Sequence, residues 1–236
     1  MKSDVEGLLP QACPFSSGST FLQDDMAEIH SSDDEVTVIE ARPSDIDSLT
    51  TIVPRSFHPA NPYIKETLPD TARLREWWSR VFSDESKDPT CHVLVAIDPD
   101  TDKDIGVLTL RLLGPHDKGV GFWTSPSHLW PPDINHEMCK AMIDSMVENR
   151  ERLMMGKSHY LIELFGAEHG WKGKGVGTKL LRRACEIADG EGVDVFVQAN
   201  GSAKGFYERL GFECEGSVVM PGDEGYAEFM MVRRFG

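Results

Sequence analysis

The sequence lacks several features that would have assigned it quickly. No apolar run approaches the ~20 residues needed to span a bilayer, and the opening MKSDVEGLLPQACPF has no apolar stretch of signal-peptide length. A cytoplasmic, non-membrane protein is therefore expected. Cysteine is sparse and odd in number (Cys13, Cys91, Cys139, Cys185, Cys214), with no CxxC and no Cys/His metal spacing. Reduced thiols and no metal site are the expectation. Basic residues are outnumbered, 24 against 39 acidic, for a net charge of −15. Repulsion makes so acidic a chain a poor general partner for nucleic acid or an anionic membrane. No internal repeat is present.

What is there is unevenly charged. Residues 1–35 carry eight acids against Lys2 alone and no helical or strand periodicity, which predicts a disordered acidic tail. Residues 36–236 then form one domain. Within it, residues 172–183 (KGKGVGTKLLRR) hold Lys172, Lys174, Lys179, Arg182 and Arg183 with no acid. Such an island suits either an anionic ligand or a solvated helix face.

Periodicity outlines the domain. Strands are predicted at Val36–Ala41, Cys91–Ile97, Ile105–Leu113, His159–Ala167, Val193–Gln198, Glu213–Met220 and Tyr226–Phe235. A helix capped by Ser44 starts after the first strand. The prolines of 54–70 predict an irregular connection. Leu74, Trp77, Trp78, Val81 and Phe82 mark one face of an amphipathic helix, with both tryptophans in the core. Further helices are expected near 133–155, Val176–Ala188 and Ser202–Leu210. Helices alternating with strands, followed by a closing β pair, give an α/β fold on a mixed sheet.

The strongest chemical signal is Lys172-Gly173-Lys174-Gly175-Val176-Gly177, which follows a strand and opens a helix. Without Cβ atoms, successive N–H groups can converge on a phosphate, and the helix N-terminus adds positive potential. The loop lacks the Gly-Lys-Ser/Thr ending of a Walker A loop, and its G-x-G-x-G spacing differs from the dinucleotide-binding G-x-G-x-x-G. Lys172, Gly175 and Gly177 instead fall on the Arg/Gln-x-x-Gly-x-Gly/Ala signature of the GCN5-related N-acetyltransferase (GNAT) superfamily. Asn200-Gly201-Ser202-Ala203-Lys204-Gly205-Phe206-Tyr207 followed by Leu210-Gly211-Phe212 resembles that family's second motif. The resemblance spans roughly 36–235 and is strongest to fungal small-molecule-type members. Two departures stand out: Lys172 replaces the usual Arg or Gln, and His169 stands where Pro is common.

The resemblance implies a mostly antiparallel GNAT sheet whose splayed strands bind acetyl-CoA as co-substrate. Backbone from Lys172, Gly173, Lys174, Gly175, Val176, Gly177 and Thr178 would hold the pyrophosphate. Phe165, Gly166 and Ala167 would pair with the pantetheine arm and offer an N–H to the thioester carbonyl. Asn200 and Lys204 would contact pantetheine or phosphate. It further implies direct attack of a neutral amine on the thioester, with Tyr207 protonating the leaving thiolate. The family fixes no base. Glu163, a carboxylate in an apolar strand two residues before Phe165 and expected on the same face, is the candidate; His116, His128, His159 and His169 are alternatives. Cys185 lies on an apolar helix side and reads as core. The acceptor is expected to be a small-molecule amine, favoured by an acidic surface if it is polyamine-like, and the protein a monomer or homodimer. A non-catalytic acyl-CoA-binding module and a protein lysine or N-terminal acetyltransferase remain the alternatives.

Overall fold

The computed structural model describes residues 36–117, 130–220 and 222–236. The acidic segment 1–35 and His128 lie outside these residues. Seven strands form one sheet: β1 (Thr37–Glu40), β2 (Cys91–Ile97), β3 (Asp104–Leu113), β4 (His159–Ala167), β5 (Asp194–Asn200), β6 (Glu213–Val219) and β7 (Ala227–Arg233). Their order is β1-β2-β3-β4-β5-β7-β6. Every neighbouring pair is antiparallel except β4 and β5. Long apolar, β-branched runs account for the central strands, which are buried on both faces.

Helices cover the two faces. On one lie α1 (Ile46–Leu49), α2 (Ile52–Phe57), α3 (Pro62–Thr67), α4 (Ala72–Glu85) and α5 (His136–Met154), packed on a core that includes Val95, Leu161 and Phe196. Trp77 and Trp78 sit edge to face there at 4.7 Å, both buried as expected. On the other lie α6 (Val176–Glu191) and α7 (Lys204–Glu208), over a core of Leu108, Ile162, Val195 and Met231.

The segment read as irregular is the main correction. Pro54 sits in the first turn of α2 and Pro62 opens α3, positions where a missing N–H costs nothing and a fixed φ helps. Asn61 caps α3 by accepting from the Ile64 amide at 3.0 Å. Pro54 and Pro62 therefore sit in the first turns of short helices instead of preventing them. The first turn after β1 is also capped differently. Arg42 holds the N-cap position, and Asp45 reaches back to the Arg42 amide, whereas Ser44 lies inside the turn.

β4 and β5 stay together for only three residue pairs, His159↔Asp194, Tyr160↔Val195 and Leu161↔Phe196. Beyond Leu161 no strand among the described residues pairs with β4 on that side, although β3 accompanies it to Ala167. The sheet is thus split from one end along its single parallel seam. A bulge accompanies the split: Thr109 pairs with Leu164 and Leu110 with Ile162, which leaves Glu163 as the extra residue.

Candidate active site

A pocket of about 690 Å³ occupies the split. Its walls come from both layers. Val176, Gly177, Phe206 and Tyr207 stand on the α6 side, while Val53, Ile64 and Met146 stand on the α2–α5 side.

At the α6 end the glycine loop behaves as its spacing predicts. Gly173 and Gly175 have φ of +82° and +84°, a region that L side chains rarely adopt, and a Cβ at either would meet nothing within 4 Å. Gly175 is the N-cap of α6. The loop therefore presents open backbone at the positive end of a 16-residue helix. Lys172, Gly173, Gly175, Val176, Gly177 and Thr178 all line the pocket. Lys174 does not; its ammonium lies 4.5 Å from the Trp171 ring centroid. On the split edge, Phe165, Gly166 and Ala167 line the wall. Gly166 is required for a separate reason: a Cβ there would come 2.8 Å from Ser56 on α2, so glycine lets α2 pack tightly against β4.

Asn200 and Tyr207 also line the pocket. Asn200 accepts from the Ser202 hydroxyl at 2.6 Å and the Ala203 amide at 3.1 Å, so its carbonyl shapes the turn into α7. Lys204 is not among the lining residues. It pairs with Glu208 at 2.5 Å, and that hydrogen bond raises its pKa. The Tyr207 ring packs against Phe165, Phe206 and Phe212, and burial raises its hydroxyl pKa. Cys185 is a buried core thiol, pushed up to about 11 by burial, as its place on the helix predicted.

Glu163 is placed differently from its expected position. The bulge turns Leu161 and Leu164 to one layer and Ile162 and Phe165 to the other, so Glu163 does not share a face with Phe165. Its backbone borders the pocket, but its side chain has no exposed surface. Arg111 donates to it at 3.0 Å, and also to Asp88 at 2.5 Å and Glu85 at 3.3 Å. Glu85 and Glu163 lie within hydrogen-bonding reach of each other, and each keeps one buried oxygen with no other partner among the described residues. One proton shared between them would satisfy both oxygens. Burial, then the neighbouring Glu163 charge, push Glu85 well above the ordinary carboxylate range. Cys91 brings a third ligating atom within 4.8 Å, but the Arg111 guanidinium already supplies the cation of this cluster.

The shared proton has a consequence for stability. A carboxyl with a raised folded pKa holds a proton that the unfolded chain releases, so stability falls as pH rises from about 4.5 toward the folded value. Glu85→Gln supplies that hydrogen permanently and should flatten this slope, leaving the variant at least as stable as wild type at pH 8. Glu85→Ala leaves the second Glu163 oxygen without a partner beside a cavity and should cost ~2 kcal/mol or more. Urea unfolding at pH 5 and pH 8 measures both, and a glutamine variant weaker at pH 8 would rule out the shared proton.

The pocket is also lined by a group that the sequence reading did not single out. Glu228 on β7 lines the pocket and is 5% exposed. Asn61 donates to the Tyr226 hydroxyl at 3.2 Å, Tyr226 donates to Glu228 at 3.0 Å, and Gln198 donates to its other oxygen at 2.7 Å. Burial raises the Glu228 pKa, while the two hydrogen bonds hold it back. Tyr226 stacks on Tyr63 at 4.4 Å, which fixes this wall. The same signal that drew attention to Glu163, a carboxylate inside an apolar strand, marks Glu228 in AEFMMVR. His116, His159 and His169 do not line the pocket.

Residues 52–212 match the model of the Acetyltransferase (GNAT) family. No curated protein matches the sequence significantly. Among solved structures, a mosquito arylalkylamine N-acetyltransferase-like protein aligns at a TM-score of 0.60 with 16% identity, over 84% of this chain and 99% of its own. An agmatine N-acetyltransferase aligns at 0.62 with 15% identity, over 85% and 99%. NAA60 of Arabidopsis thaliana, solved with a bisubstrate analogue, aligns at 0.53 with 14% identity, over 84% and 97%. At such identities the likeness is one of fold.

Proposed function

The chain belongs to the Acetyltransferase (GNAT) family, and from that premise we propose that it transfers the acetyl group of acetyl-CoA to the primary amine of a small molecule. One observation carries this reading: the pocket in the split between β4 and β5 is lined both by a basic glycine loop and by a buried, hydrogen-bonded carboxylate, Glu228. Acetyl-CoA suits the loop. The open backbone of Gly173 and Gly175 accommodates a pyrophosphate, with Lys172 and Arg209 on the rim, and the unpaired edge at Phe165–Ala167 accommodates an amide-bearing arm. A volume of 690 Å³ leaves room for that arm and a small acceptor. The similar folds named for arylalkylamine and agmatine acetylation support an amine as the acceptor.

When bound, acetyl-CoA supplies an activated acyl group. The chain supplies orientation and proton handling. Glu228 takes the proton that an ammonium must lose before its nitrogen can attack, and Glu163 keeps a supporting place behind the β4 bulge. Tyr207 offers its hydroxyl to the sulfur that departs. Asn200 fixes the turn that brings Tyr207 to the pocket.

The test joins binding to turnover. Acetyl-CoA should raise the melting temperature, contributing about 2.7 kcal/mol at a hundredfold excess over Kd. Gly175→Glu, which forces a side chain into a left-handed φ and sets negative charge where phosphate would lie, should lose that shift. A retained shift would remove the loop from the site. Release of free CoA on adding amines distinguishes an enzyme from a module that only binds acyl-CoA, and a peptide amine in the same panel tests the protein-directed alternative.

A further inference from the structure

We propose that the acceptor is a singly charged amine with an apolar body, and that an amine with a second cationic group is rejected. This rests on the amine-transfer reading above and names the substrate class of that site. Among the described residues lining the pocket, the carboxylates are Glu163 and Glu228. Glu163 is enclosed and already paired with Arg111, so Glu228 alone is available to an ammonium. The wall around it on the α2–α5 side is apolar: Phe57, Ile64, Leu68, Met142, Ile143 and Met146. These side chains offer a second ammonium no partner. The next acids outward, Glu66 and Asp223, act electrostatically on Tyr63 but are exposed, where solvent screens them. A singly charged acceptor departs from the expectation of a polyamine-like one, which net charge alone suggested. Overall acidity attracts cations from a distance, but the pocket provides for one.

Two isosteric amines decide the matter. Hexylamine and 1,5-diaminopentane have the same length and differ by a methyl against an ammonium at the far end. Wild-type kcat/KM, read by CoA release at low salt, should favour hexylamine by about 100-fold or more, because the diamine must bury a charge without a partner. In a thermal melt with CoA present, hexylamine should raise the melting temperature and the diamine should not. Met142→Glu, which sets a second carboxylate in the apolar wall at a half-buried position, should narrow the ratio at least tenfold. Equal use of the two amines, or preference for the diamine, would overturn the inference while leaving amine acetylation standing. Acetyl-CoA binding without turnover of any amine would overturn the amine-transfer reading and this inference together.

Discussion

Glu228→Gln should lower kcat/KM for a primary amine by about 10²–10⁴-fold, the usual worth of a positioned general base. The amine arrives as an ammonium of pKa near 10 and cannot attack until a proton is removed. Burial raises the Glu228 pKa, which makes it a better proton acceptor than an exposed carboxylate, while Gln198 and Tyr226 keep it usable as an anion. The pH profile carries the sign. Wild-type activity should fall as pH drops through the raised Glu228 pKa, above the ordinary carboxylate range. In the glutamine variant that limb should vanish, and the residual rate should climb with pH as free amine accumulates. Folding should change little. A group with a raised folded pKa costs stability once ionised, so its neutral replacement relieves that cost and forfeits at most one hydrogen bond of ~1 kcal/mol. A variant within threefold of wild type across pH 6–9 would show that another group takes the proton.

Much of this architecture was legible in the sequence because it is local. The loop Lys172–Gly177 and the turn at Asn200 are written in consecutive residues, and backbone conformation there follows from missing Cβ atoms and from one capping side chain. The α4 stripe through Trp77 and Trp78 is likewise a short-range pattern. Other features depend on what lies across the sheet. Glu163 lost its expected face because a bulge opposite Thr109 and Leu110 inserts one residue, and a period-2 reading assumes that no such insertion occurs. Glu228 joins Asn61 through Tyr226, residues 165 positions apart from Asn61 to Tyr226, and no local pattern links them. The prolines of 54–70 are ambiguous for a different reason. The same ring that breaks a helix interior favours a first turn, and only the caps decide which role it plays.

Tyr207→Phe should lower kcat by about 10²-fold, toward the lower end of what a positioned acid contributes. Burial raises the hydroxyl's pKa, so it stays protonated throughout neutral pH and can donate at any working pH. That same burial makes it a reluctant acid toward a thiolate, whose free pKa is near 8.5. Its contribution would then be mainly a hydrogen bond to developing charge in a poorly solvated site, which is smaller than full proton transfer. The ring makes the packing contacts with Phe165, Phe206 and Phe212, and phenylalanine keeps all three. No hydrogen bond to the hydroxyl is present among the described residues, so the melting temperature should stay within the ~2–4 °C that 1 kcal/mol is worth at this size. Acetyl-CoA affinity should also hold, since the hydroxyl acts on charge that develops only during transfer. Paired measurements of CoA release and thermal melting separate the possibilities. A large fall in melting temperature with kcat retained would make Tyr207 an anchor for α7, and a kcat within threefold of wild type would pass the proton to water.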